Sequence, residues 1–77
     1  MYIDDPQKLG TFVRTLRKQM GIKQKDLALT SGTGLRFIVD LEKGKSTCHL
    51  GKVLLVLKTL GIKIEITPPF AFSTAES

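Results

Sequence analysis

The sequence predicts a mainly α fold of four helices followed by one short C-terminal β-strand, and three observations predict it. Apolar residues recur at three- and four-residue steps in separate stretches along most of the chain. Gly21, Gly32, Gly44 and Gly61 fall where those stretches stop. From residue 62 the period changes to two, as Ile62, Ile64 and Ile66 alternate with Lys63, Glu65 and Thr67.

Each element can be justified in turn. Asp5 can cap the orphan amides of a first helix, and Pro6 is preset for its first position. Leu9, Phe12, Val13, Leu16 and Met20 then form an amphipathic stripe that ends at Gly21. A shorter second helix is expected over residues 24–31, with Leu27 and Ala28 inward, closed by a left-handed Gly32. A third follows Gly34, with Phe37, Ile38 and Leu41 on its inner face and Lys43-Gly44-Lys45 as its stop. Ser46 or Thr47 can cap a fourth helix running to Leu60, with Leu50, Val53, Leu54, Leu57 and Leu60 as its buried stripe. The strand over residues 62–67 is cut short by Pro68-Pro69. No second strand is expected in the chain, so its backbone groups call for the same strand of another copy. Residues 1–5 read as a lead, 6–61 as the helical domain and 68–77 as a flexible tail. In that tail Phe70 and Phe72 either fold back or await a partner.

Length and composition limit the rest. Seventy-seven residues, 42% apolar and 25% charged, make one domain with a small core. Such a core often needs a staple. Cys48 is the lone cysteine, so no internal disulfide can form, and His49 beside it cannot complete a metal site. Neither cofactor nor metal is expected, and oligomerisation is the remaining common remedy. The longest apolar run, residues 53–57, is too short to span a bilayer, and the acidic N-terminus lacks the features of a signal peptide. With a single free thiol, the expected location is the cytoplasm.

The charge is informative by its placement. All twelve lysines and arginines lie between Lys8 and Lys63, against only Asp26, Asp40 and Glu42 there, a surplus of nine. That suits a polyanion such as DNA, RNA or an acidic membrane. No nucleophile, base and oxyanion donors assemble here, so catalysis is not expected.

Gln24, Leu27, Ala28, Gly32, Ile38, Leu41, Glu42 and Gly44 carry the sharpest pattern: two short helices joined by a tight turn, the second ending in Leu-Glu-Lys-Gly. In these residues, and in the leucine-rich fourth helix, the chain resembles the Xre/lambda-repressor type of helix-turn-helix protein. The resemblance spans residues 9–61 and implies a lambda-repressor-like domain that binds double-stranded DNA through its third helix. By that likeness Arg17 and Glu42 are a buried structural ion pair. The third helix would lie in the major groove with Leu35, Arg36, Val39 and Asp40 outward. Arg36 suits guanine O6 and N7, Asp40 suits cytosine N4 or the orientation of Arg36, and Leu35 suits a thymine methyl. Gln24 matches the position whose glutamine donates to phosphate, with Lys23, Lys25, Lys43 and Lys45 around it. Two departures from the pattern stand out. Lys23 replaces the usual Ser or Thr cap, and Gly34-Leu35 replaces polar residues at the start of the third helix. Specificity then rests on Arg36, Asp40 and DNA shape.

A narrower resemblance, to the HipB-like antitoxins, lies in Pro6 to Leu9, in residues 32–38 and in the isoleucine strand that replaces a fifth helix. It implies a homodimer with paired terminal strands that represses its own operon at inverted half-sites. It also implies a partner, a HipA-like serine/threonine kinase toxin. The alternatives are a free-standing Xre-type regulator and an interaction module that has lost DNA binding.

Overall fold

Asp5 stands in extended backbone, and its carboxylate accepts from the Lys8 amide at 2.7 Å, while Pro6 takes the first helical position. From that start the computed structural model, which describes residues 2–71, runs through four helices. They are α1 (Pro6–Gln19), α2 (Gln24–Ser31), α3 (Leu35–Lys43) and α4 (Leu50–Thr59). Helix α3 packs on α1 and α2, and α2 also packs on α4. Helix α3 is therefore held from two sides.

The core collects the residues that the helical period brings inward. Val13, Leu27, Ala28, Ile38, Leu41, Val53, Val56, Leu57 and Leu60 are buried, and Leu9, Leu16, Ile22, Phe37, Cys48 and Ile62 pack around them half-covered. Each fully buried side chain, such as Leu27 or Ile38, contributes roughly 1.5–3 kcal/mol. Ala28 lets α2 approach its neighbours closely. Gly32 adopts φ +70°, a left-handed conformation that costs a side-chain residue energy, and it turns the chain from α2 toward α3.

Helix α4 differs from the expectation in two ways. Ser46 and Thr47 form a turn, and the cap is His49, whose Nδ1 accepts from the Lys52 amide at 3.3 Å. Its buried face is Val53, Val56, Leu57 and Leu60, not the stripe through Leu50 and Leu54. Residues 53, 56, 57 and 60 share one side at helical spacing. Leu50 and Leu54 lie beside that face and are exposed, Leu50 at 69%. Met20, at the end of α1, is also exposed.

The expected strand is the other difference, since it is not formed in the single chain. Gly61 and Ile62 close α4, the Ile62 amide donating to the Leu57 carbonyl at 2.9 Å. Among the described residues no strand follows. A strand exists only as part of a hydrogen-bonded ladder, and this single chain offers residues 62–67 no partner. Ile62 reaches the core, whereas Ile64 and Ile66 are exposed, Ile66 at 88%. Of the expected tail, residues 68–71 are described, with Phe70 exposed, and residues 72–77, Phe72 among them, lie outside the described residues.

Candidate nucleic-acid interface

Beneath the interface lies a buried polar knot. Arg17 of α1 donates from Nε to Glu42 Oε2 at 2.6 Å and from Nη2 to Oε1 at 3.0 Å. Its Nη1 donates to the Ile22 carbonyl at 2.8 Å, which ties down the α1–α2 connection. Gln24, the first residue of α2, donates from Nε2 to Glu42 Oε1 at 3.1 Å. One carboxylate at the end of α3 thus binds α1 and α2 at once. Hydrogen bonding to Glu42 outweighs desolvation and raises the pKa of the Arg17 guanidinium. Below the ordinary arginine range this contribution to stability is complete, and it is lost only as pH rises through the raised folded value.

Gly10 is a second support. A Cβ built there would meet the Leu41 carbonyl oxygen and stand 2.8 Å from the Glu42 carbonyl oxygen. Helix α1 therefore lies directly against the backbone of the last turn of α3. The turn before α3 is polar and buried, with the hydroxyls of Ser31 and Thr33 at 2.8 Å.

On this base α3 presents its outer side. Gly34 precedes it with no side-chain cap, so its first amides are open at the positive end of the helix dipole. Leu35 and Arg36 are exposed, and Val39 and Asp40 are half-buried. Arg36 Nε lies 3.4 Å from Asp40 Oδ1, and Lys45 Nζ lies 3.5 Å from Asp40 Oδ2. Arg36, Asp40, Lys43, Gly44 and Lys45 line an open concavity of about 530 Å³. Lys23 and Lys25 are exposed at the start of α2.

Of the predicted site residues, Arg36, Asp40, Lys43 and Lys45 line one concavity, Leu35 is exposed and Val39 half-buried on the same helix, and Lys23 and Lys25 stand at the start of α2. Gln24 is half-buried and directed at Glu42, although its second amide N–H remains for an outside acceptor. Gly10 was not legible as a site residue. Its signal is its register, three before Val13 and seven before Arg17, on the buried side of α1. The neighbouring groups are structural. Burial pushes the Cys48 thiol up, and Lys52 Nζ stands 5.9 Å from the Phe37 ring. Among the described residues no cluster of metal-ligating side chains occurs, and no helix is long and apolar enough to cross a membrane.

Known proteins share this fold. The helix-turn-helix model HTH_3 matches residues 13–66. An HTH-type transcriptional regulator, y4mF of Sinorhizobium fredii, is 52% identical over 67 residues, spanning 87% of this chain and 88% of the relative. An HTH-type transcriptional regulator of Haemophilus influenzae is 39% identical over 54 residues, spanning 70% of this chain and 55% of that protein. Solved structures of like fold include a HipB–O4 20mer complex, with TM-score 0.81 and 21% identity over 91% of this chain and 99% of that one. A HipA–HipB–O2–O3 complex gives TM-score 0.82 at 21% identity, with the same coverage. At that identity the likeness is one of fold. Sequence and fold together place α2 and α3 as a helix-turn-helix pair, and the chain belongs to the Xre-type helix-turn-helix family of DNA-binding transcriptional regulators, which are not enzymes.

Proposed function

We propose that two copies of this chain bind one operator with inverted half-sites, repress transcription of their own operon and serve as the antitoxin of a HipA-like serine/threonine kinase. The observation that carries the DNA reading is the outer face of α3, where the uncapped N-terminus, Arg36, Lys43 and Lys45 are exposed together. Residues 6–61 form the DNA-binding domain. Arg36 reads a guanine, with Leu35 and Val39 against neighbouring base edges. Lys23, Gln24, Lys25, Lys43 and Lys45 bind phosphates. Exposed Leu50, Leu54, Ile64 and Ile66 support a second copy, with residues 62–67 pairing as strands across the two-fold axis. The likeness to HipB structures, one of them with HipA, supports the antitoxin role.

The test is fluorescence anisotropy on the DNA upstream of the chain's own gene, across a salt series. Wild type is expected to show a steep fall of affinity with salt, as each phosphate contact releases counterions. Arg36→Ala should keep a steep slope and lose about 1–3 kcal/mol of specific binding. Unchanged operator binding by Arg36→Ala would remove it as the reader. Sedimentation should give a dimer, and footprints should fall about 34 Å apart or a multiple of that. Co-purification with the product of the adjacent gene tests the kinase partnership, and its failure leaves a free-standing regulator.

A further inference from the structure

By its position Asp40 could read cytosine N4 or orient Arg36, and its surroundings favour the second. Its side chain is 18% exposed, whereas that of Arg36 is 84% exposed. Its two oxygens face different cations, Oδ1 toward Arg36 Nε at 3.4 Å and Oδ2 toward Lys45 Nζ at 3.5 Å. The main chain of Lys45 is held in place, since its amide donates to the Asp40 carbonyl at 3.0 Å. No other acid lines this concavity. We propose that Asp40 is a positioning residue that holds Arg36 by Nε and so makes it a reader of guanine, rather than reading a base itself. This inference rests on the DNA-binding reading above.

The geometry of guanidinium explains why the held atom matters. Arginine offers five N–H groups in a planar fork, and only the pair that points at the base edge reads it. Nε meets Asp40 at ion-pair distance rather than in a hydrogen bond, and among the described residues neither Nη1 nor Nη2 makes a hydrogen bond, so both remain for a base edge. Two parallel N–H groups match the O6 and N7 acceptors of guanine, and adenine presents a donor where guanine presents O6. An unheld arginine at 84% exposure would instead sample many rotamers and pair with phosphates, which carry no sequence information. The ion pair adds little to the free protein, as exposed pairs do. Its effect grows when the groove excludes water and the effective dielectric falls. Lys45 keeps the cluster cationic, so the carboxylate does not repel the duplex.

The experiment uses the full chain and a duplex pool randomised over 30 base pairs, with rounds of selection followed by sequencing. Wild type should enrich guanine at one position in each half-site, and Arg36→Ala should lose that preference. Asp40→Asn should bind the pool at least as tightly, with the same salt slope, because one negative charge has gone. Its guanine preference should fall about fivefold or more, and Asp40→Glu should restore part of it. Substituting 7-deazaguanine, which lacks the N7 acceptor, should weaken wild type and leave Asp40→Asn nearly unaffected. A purely structural role would lower the melting temperature and total affinity without changing one base preference. Guanine enrichment by Asp40→Asn equal to wild type would overturn the proposal. Loss of a cytosine preference instead would also overturn it, by making Asp40 a direct reader. If wild type fails to bind the pool at any salt, the DNA-binding reading itself falls, a result distinct from the other two.

Discussion

Replacing Glu42 with alanine is expected to cost about 3–5 kcal/mol, the usual loss when one member of a buried ion pair is removed. The Arg17 and Glu42 side chains are 8% and 2% exposed, so the stranded guanidinium would have little water to turn to. A chain of this length has a total stability of roughly 4–12 kcal/mol, which makes the loss a large fraction of the whole. Thermal melts should fall by at least about 12 °C, at roughly 4–8 °C per kcal/mol for a domain of this size. The double variant Arg17→Met, Glu42→Leu should recover most of it, because two apolar residues strand no charge. If Glu42→Ala melts within a few degrees of wild type, the pair is not the fastening described here. Recovery by the double variant would show that the cost lies in the orphaned charge. The same double variant should still bind DNA poorly, since Gln24 and the Ile22 carbonyl lose their partners.

How far the sequence could be read depended on what each residue needed. The helices were legible because period and punctuation are local: Asp5-Pro6 starts α1, and Gly32 and Gly44 close α2 and α3 in left-handed conformations. Ile38 and Leu41 were legible as core because apolar residues at helical spacing need a common side. Leu50 and Leu54 were not, since an apolar side chain demands cover without saying whose. The isoleucines of residues 62–67 pose the same problem, because a period of two describes half of a ladder. Gln24 was read from its position as a phosphate donor, but its nearest acceptor is Glu42, eighteen residues on. No local pattern reveals such a contact. His49 displaced Ser46 and Thr47 as cap because the turn after Gly44 uses two more residues before α4 begins.

Gly10 shows most directly how the support beneath α3 can be tested, because two effects of opposite sign meet there. Alanine in place of a helical glycine ordinarily stabilises by about 1 kcal/mol, through helix propensity alone. Here the new methyl would meet the carbonyl oxygens of Leu41 and Glu42. These are backbone atoms in the last turn of a packed helix and cannot swing aside as a side chain would. Overpacking of this kind costs about 1–3 kcal/mol and sometimes more. The clash should win, and Gly10→Ala is expected to destabilise the chain by up to about 2 kcal/mol, with Gly10→Val worse. The control is Gly51→Ala in α4, where the nearest obstacle is the exposed His49 ring, Cε1 at 3.0 Å. That side chain can shift, at the expense of at most its long cap bond to the Lys52 amide, so the cost there should be smaller than at Gly10. The larger consequence of Gly10→Ala should be functional. Relief of the contact requires α3 to move away from α1, whereas a recognition surface has to be held within about 0.5 Å. Operator affinity should therefore fall more than melting temperature, when both are measured well below the melt. A stabilised Gly10→Ala variant with full operator affinity would mean that α1 does not set the position of α3.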